Sequence, residues 1–461
     1  MMKGIIKRIS YLSFIFALAV IGAVIPVFAI ENEADSSSSI SLQQAQAVKK
    51  ISFDDVWAKA KNHAYDLKIA DYDILIAKQE VKGVRAEYFP KLAASAGTEY
   101  TKNYRNLRDT TVMSIGEAFI NPYTRYQSVL GITLVYNLFD FGIRGESLKA
   151  AKEEVSLKEL ELKEKLQELH LNLLDTYTKI LITTRQIELN KEIISQYEKN
   201  LGYKERLVKA KEISKTELND AKKELLSAQN RINELNSIRA ESLAWLSFYT
   251  GESYDNESIK VEDLCKPDFD VTAFNDYTKS IVWQIHEKQI KKKEHEIKIA
   301  KRTNYPKVNV YGRYYLYGSD YSSYNDSLKD IEPSNFTVGG SVNMTLFDGL
   351  KNQANIKKNI LEMKELQVER DKAIAQLMTR LAAMRANLIY LDKQIDVNND
   401  IIKELNDKEK SVRRLVSKRV VSPMDEVDAK VQILEQKIEL SKNTITKIAI
   451  TKGIQILTEE E

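Results

Sequence analysis

The chain has 461 residues with 69 Lys and Arg and 66 Asp and Glu, so its formal net charge of +3 gives no support for binding to nucleic acid. A single cysteine, Cys265, excludes an intramolecular disulfide framework. Because His63, His170, His286 and His295 form no metal-like cluster, and neither a phosphate-binding loop nor a nucleophile elbow is present, we predict no enzymatic activity, cofactor or metal.

Residues 1–29 are typical of an export signal. Lys3, Lys7 and Arg8 form a basic start, an apolar stretch follows, and 27–29 resembles a cleavage site. An uncleaved membrane anchor is the alternative interpretation. Beyond this segment no stretch is apolar for the roughly 18 residues that a membrane-spanning helix needs. Residues 30–50 are rich in Ser and Gln and predict a flexible leader.

Residues 51–260 form a first repeat that begins with a helix, because apolar residues recur at helical spacing from Phe53 to Glu87, before Pro90. A strand pair is predicted over about 90–139. A long helical hairpin is predicted over about 145–250.

After a connector over 261–275, a second repeat covers 276–457 with the same order. It contains a helix, a strand pair over about 306–347 and a long hairpin over about 350–457. The predicted strands alternate apolar and polar residues, for example from Leu130 to Leu138 and from Phe336 to Leu346, as half-buried strands do.

Each long hairpin begins with a helix that lacks Gly and Pro and repeats apolar residues by seven, which predicts a coiled coil. The apolar positions are Leu166, Leu173, Ile180, Ile187, Ile194, Leu201 and Val208 in the first copy, and Ile374, Leu381, Leu388, Ile395 and Ile402 in the second. Such helices reach about 100 Å, at roughly 1.5 Å per residue.

Helix restarts predict hairpin tips near 206–216 and 414–424. Ser214 and Glu217 form a capping box, and Ser422, Pro423 and Asp425 place a cap, a first-turn proline and an acid in the corresponding order.

Short motifs mark the duplication. The two copies share Leu-Phe-Asp at strand exits, Arg-Leu-Val before the tips and Pro-Lys at strand entries. They lie at 138–140 and 346–348, at 206–208 and 414–416, and at 90–91 and 306–307.

The long strands, the aromatic residues at their ends and the export signal favour an outer-membrane barrel over a soluble sandwich. Four strands cannot close a barrel alone, since bacterial barrels begin at about eight strands. Several chains must therefore pool their strands.

Together these motifs, over about residues 51–457, resemble the TolC family of outer-membrane efflux and secretion proteins. The resemblance implies a mixed α and β membrane protein: a homotrimer whose 12-stranded β-barrel, with four strands per chain, continues as a long α-helical coiled-coil barrel in the periplasm. It also implies a periplasmic adaptor and an inner-membrane pump or ABC transporter as partners, outer-membrane lipid around the barrel, and no nucleic acid.

The resemblance assigns an acidic pore constriction to the tips. Asp425 and Asp428 match the paired acids of the family, and Glu217 and Asp220 occupy the corresponding positions of the first copy. Helix capping is the competing role. We favour pore lining for the second pair and a structural role for the first.

Adaptor docking is assigned by the same resemblance to the residues that flank both tips, although ordinary coiled-coil seams look similar. The docking residues are Arg206, Leu207, Val208 and Ser214 in the first copy, and Arg414, Leu415, Val416, Ser422 and Pro423 in the second.

The chain departs from the family in two ways. Lys211 and Arg419 replace the usual tip glycine, and Val416 and Val421 replace residues that close the gate. Arg413, Arg414, Lys418 and Arg419 lie close enough to offer substitutes.

The predicted function is a passive conduit of a tripartite efflux pump or a type I secretion system. The alternative is an exported structural coiled-coil surface protein without a channel.

Overall fold

The computed structural model describes residues 49–102, 113–115, 118–120, 126–256, 259–268 and 276–458. The predicted export signal, most of the leader and part of the connector lie outside these residues. Lys49 and Lys50, which the sequence assigns to the leader, belong to strand β1 (Lys49–Ile51). This strand pairs in parallel with β6 (Ile259–Val261).

The first helix differs from the prediction. Instead of one helix there are two, α1 (Phe53–His63) and α2 (Tyr65–Ala86), separated by an extended residue, Ala64 (ψ 124°). Ala64 is buried, and the His63 ring packs against Gly251. The break lets α1 contact the returning helix of the first hairpin while α2 follows the outgoing one. Tertiary packing therefore overrides a continuous helical pattern.

Four long strands form one antiparallel sheet in the order β2-β5-β7-β8. They are β2 (Lys91–Tyr100), β5 (Tyr126–Phe139), β7 (Lys307–Asp320) and β8 (Glu332–Asn343). The loops that join them include a small pair, β3 (Met113–Ile115) with β4 (Ala118–Ile120), and a short helix, α6 (Tyr324–Lys329).

The register gives the sheet one apolar and one polar face. A row across all four strands on the apolar face contains Ala94, Ile132, Tyr314 and Phe336. The adjacent row, on the opposite face, contains Ala93, Thr133, Arg313 and Thr337. Since successive side chains of a strand point to opposite faces, the alternation read from the sequence is a property of the whole sheet.

Strand β8 ends earlier than predicted. It ends at Asn343, which pairs with Lys307, the first residue of β7, so no backbone of this chain is left to pair with the next residues. Met344, Leu346 and Phe347 are accordingly 54%, 86% and 78% exposed.

Five further helices are α3 (Ile143–Lys209), α4 (Lys215–Thr250), α5 (Ile281–Arg302), α7 (Lys351–Ser417) and α8 (Pro423–Thr458). Three helices of each copy have equal lengths. Helices α2 and α5 have 22 residues each, α3 and α7 have 67 each, and α4 and α8 have 36 each. Among the described residues, no helix is both long and apolar enough to cross a membrane.

The turn from strand to long helix is built alike in both copies. Two successive residues adopt the left-handed conformation, Phe141 and Gly142 in the first copy and Gly349 and Leu350 in the second. The aspartate before them accepts a hydrogen bond from the second amide of the new helix, Asp140 from Arg144 N (3.1 Å) and Asp348 from Asn352 N (2.9 Å). These carboxylates satisfy amides that a helix start leaves unpaired.

The main core lies where α1, α4 and the small β1–β6 sheet meet the middle of α3. Tyr177 is 1% exposed, and its hydroxyl lies 3.0 Å from Ile51 O and 2.7 Å from Glu262 O. This hydroxyl therefore ties α3 to the chain beside both short strands.

His170 stacks on Trp57 in this core, with 4.0 Å between ring centroids. Burial, with the nearby ammonium groups of Lys452 and Lys61, lowers the pKa of His170 to about 4. Since a histidine in the unfolded chain titrates near 6.5, we expect this group to contribute stability above about pH 6.5. As the pH falls toward 4, up to about 3 kcal/mol of the free energy of unfolding is lost.

Thermal unfolding of His170→Phe should depend less on pH across this window than that of the wild type. The control is His286→Phe, outside this core; an equal change in both variants would contradict the assignment.

Candidate functional site

Both hairpins turn through the same helix-ending motif. In the first tip, Glu212 N donates to Leu207 O (2.9 Å) and Lys211 N donates to Val208 O (3.0 Å). In the second, Val420 N donates to Leu415 O and Arg419 N donates to Val416 O, both at 2.9 Å. This pair of bonds is the Schellman motif, which satisfies carbonyls that the helix end leaves free. The predicted docking segments therefore include the carbonyls that close each tip.

Lys211 and Arg419 hold the left-handed position of these motifs, each with φ 60°. A residue with a Cβ pays for this conformation, whereas glycine adopts it freely. Both tips thus lack the usual glycine at the one position whose left-handed backbone conformation glycine adopts most easily.

The first tip restarts on Ser214. Its hydroxyl accepts a hydrogen bond from Glu217 N (3.3 Å) and lies 3.4 Å from Glu217 Oε1. The Glu217 carboxylate therefore lies beside the cap, and its structural role stays a prediction. Asp220 is exposed one turn further along α4.

The second tip restarts on Ser422 and Pro423 with a tighter set of contacts. Met424 N donates to the Ser422 hydroxyl (3.2 Å), and Ser422 N donates to the Asp425 carboxylate (3.0 Å). Asp425 thus caps the helix while its side chain stays exposed.

Asp428 is exposed and has no hydrogen bond or ion pair with any residue that the structure describes. It lies close enough to α3 of the first hairpin to affect Tyr197. Burial, followed by the charges of Glu224, Glu435 and Asp428, raises the pKa of Tyr197. Acidic groups of both hairpins thus lie near Tyr197.

A charged cluster between α7 and α8 was not predicted. Lys430 lies 2.6 Å from Glu426 and 4.0 Å from Glu409, and Arg413 lies 3.9 Å from Glu426. Arg413 therefore faces Glu426 rather than Asp425 or Asp428. The only signal for this cluster was its helical spacing, Glu426 and Lys430 being one turn apart.

The docking side chains differ in exposure. Arg206 and Arg414 are exposed, Leu415 is 39% exposed, and Leu207, Val208 and Val416 are half-buried. The Arg206 guanidinium lies 5.6 Å from the Tyr203 ring centroid. An arginine beside apolar side chains is therefore available at each tip.

The part of the chain that the structure describes holds no group of His, Cys, Asp and Glu side chains placed to bind a metal ion. A model of the outer membrane efflux protein family matches residues 56–252 and 284–445, one block in each repeat. The chain belongs to the outer membrane efflux protein family. A comparison with curated protein sequences gives no significant match.

Solved structures of outer-membrane channels share the fold of this family member. CmeC of Campylobacter jejuni matches with a TM-score of 0.72 and 14% identity, over 89% of this chain and 86% of that chain. VceC of Vibrio cholerae matches with 0.70 and 13%, over 88% and 96%. CusC, whose structures concern transmembrane channel formation, matches with 0.71 and 15%, over 87% and 91%. These similarities show that the chain has the fold of those proteins.

Replacing the left-handed residues of the tips by glycine should stabilise them. We expect Lys211→Gly and Arg419→Gly each to favour the folded tip by about 1 kcal/mol, because the Cβ penalty is removed. Hydrogen exchange of the tip amides should slow accordingly. Lys209→Gly, at the last helical residue, is the matched control and should speed exchange instead. Faster exchange in all three variants would contradict the role given to these positions.

Proposed function

We propose that the chain is the outer-membrane channel of a tripartite efflux pump or a type I secretion system. Solutes pass through it unchanged, from an inner-membrane pump or ABC transporter and a periplasmic adaptor to the exterior. The observation that carries this proposal is the continuity between a sheet with one apolar and one polar face and two hairpins of about 100 Å. Such a sheet suits a barrel wall between lipid and water.

The proposed assembly is a homotrimer with a 12-stranded barrel. The sheet of one chain has two open edges, β2 and β8, and unpaired backbone edges are not tolerated in lipid. Every residue of β2 is exposed. Pairing β8 of one chain with β2 of the next would close the barrel and remove both edges.

The long helices support the same assembly. Helix α3 buries side chains along most of its length, whereas α7, which is equally long, buries only Leu381, Leu388 and Leu391 among its described residues. Exposed apolar residues along α7 include Leu361, Val368, Ile389 and Val397. A neighbouring chain would cover them and close a helical barrel. In the proposed orientation the hairpins extend into the periplasm and their tips face the adaptor.

Reconstitution into planar bilayers tests the conduit. The purified protein should give discrete conductance steps and should require detergent for extraction. Extraction without detergent and a lack of conductance would instead favour a structural surface protein.

The acidic pair of the second tip should determine ion selectivity. Asp425 and Asp428, repeated in three chains, would form two acidic rings that attract cations. We expect Asp425→Asn with Asp428→Asn to lower cation selectivity and to weaken block by multivalent cations in bilayer recordings. The control, Glu234→Gln with Glu241→Gln, removes the same charge from exposed positions of α4 away from the tip. Unchanged selectivity in the tip variant would remove these residues from the pore.

Charge reversal beside the tip should weaken adaptor docking. We expect Arg414→Glu to reduce cross-linking to the adaptor without loss of the trimer, because the side chain is exposed and the carbonyls that close the tip belong to Leu415 and Val416. Arg231→Glu, at an exposed position on α4, is the control. Equal cross-linking in both variants and the wild type would exclude Arg414 from the docking surface.

A further inference from the structure

Contacts between the two copies inside one chain indicate how separate chains meet. Helix α5 of the second copy packs against α7 of its own copy and against α3 of the first. Helix α2, its counterpart in the first copy, packs against α3 of its own copy, and among the described residues it makes no comparable contact with α7. In a closed ring of repeats, the neighbour that α2 lacks is α7 of an adjacent chain.

We propose that chains join through a seam with apolar contacts in which α7 of one chain packs against α2 and α4 of the next, in the register that α3 has with α5 and α8 inside one chain. The seam rests on the homotrimer proposed above and adds its partner residues and its chemistry.

Because these helices have equal lengths, each residue of α2 corresponds to one residue of α5, and each residue of α3 to one of α7, without gaps. Tyr72 precedes Pro90 by as many residues as Lys288 precedes Pro306. Counted from the strand-exit aspartates, Leu361 corresponds in the same way to Glu153.

The seam inside the chain is ionic. Lys288 lies 2.9 Å from Glu153, and Lys292 lies 2.8 Å from Glu154. His295 Nδ1 lies 2.6 Å from a carboxylate oxygen of Glu146.

At the position equivalent to Lys288 and Glu153, the seam between chains is apolar. Transferring the Lys288–Glu153 contact places Leu361 against Tyr72 of the next chain. These two side chains are 67% and 64% exposed in the single chain. Two large apolar side chains thus stand where the intramolecular seam has a lysine and a glutamate. Ile69 corresponds to the buried Ile285 yet is itself 58% exposed, as expected of a surface that lacks its partner.

The region nearer the tips gives an independent second pair. Ile193 of α3 packs with Leu434 of α8 in one apolar cluster. Their counterparts are Ile401 of α7 and Leu226 of α4, which are 38% and 63% exposed. The same transfer therefore pairs Ile401 with Leu226 of the next chain.

The strand pairs of the sheet can be transferred from one chain to the boundary between chains in the same way. Tyr136 of β5 pairs with Val310 of β7. The corresponding pair between chains is Met344 with Ala94. This pairing would extend β8 beyond Asn343, over the residues that the sequence predicts as strand and that one chain leaves exposed.

Cysteine cross-linking tests the register. In a Cys265→Ser background, the pairs Tyr72→Cys with Leu361→Cys and Leu226→Cys with Ile401→Cys should be joined between chains by a short bismaleimide, giving dimers and trimers on denaturing gels. The control pair, Tyr72→Cys with Ala375→Cys, moves one partner about 21 Å along α7 and should stay a single chain.

The outcomes distinguish a failure of the proposed seam from a failure of the proposed channel function. If native mass spectrometry shows trimers but the matched pairs do not cross-link, or the control pair cross-links equally, the register is wrong and the channel proposal stands. A protein that is monomeric in detergent would overturn both.

A charge transplant gives a second readout. Tyr72→Lys and Leu361→Glu should each lower the temperature at which trimers dissociate, and the double variant, which copies the Lys288–Glu153 pair into the seam, should recover much of that loss. Additive losses in the double variant would contradict contact between the two positions.

Discussion

The free edges of the four-stranded sheet are the constraint on which the rest of the structure depends. Every backbone amide and carbonyl within a hydrocarbon layer needs a partner in the protein, because no water is present there. Strands β2 and β8 satisfy this requirement on one side only. The long helices start at the ends of β5 and of the segment after β8, so the arrangement that pairs the edges also brings the hairpins together. One backbone requirement thus governs both the membrane part and the helical part.

The junction between β5 and α3 fixes the direction of the long helix relative to the sheet. Asp140 accepts bonds from Gly142 N and Arg144 N, and its carboxylate also pairs with the Arg144 guanidinium at 2.8 Å. Both side chains are almost fully buried, and a buried ion pair of this kind is costly to break. Helix α3 therefore leaves the sheet in a direction that the protein holds firmly.

Much of this architecture could be predicted from the sequence, because period-two and period-seven patterns report directly on sheets and long packed helices. The positions of the tips could also be predicted, because Ser214 and Ser422 are local capping signals. The break at Ala64 and the early end of β8 depend on contacts distant in sequence, with Gly251 and with Lys307. The charged cluster between α7 and α8 forms only when the two helices lie side by side, so it could not be predicted from any single stretch of sequence. Its members are Glu409, Arg413, Glu426 and Lys430.

The equal lengths of corresponding helices restrict how such a chain can change in evolution. Inserting one residue into α3 or α7 would rotate the rest of the helix by about 100° and turn its apolar stripe away from its neighbours, at 3.6 residues per turn. Insertions and deletions are therefore confined to places where no packed helix follows in register. The two copies obey this: helices α2, α3 and α4 match α5, α7 and α8 residue for residue, while the loop between β2 and β5 and the loop between β7 and β8 differ in length. The variable loops are thus the part of the protein free to diverge in length, while the long helices keep their length unchanged.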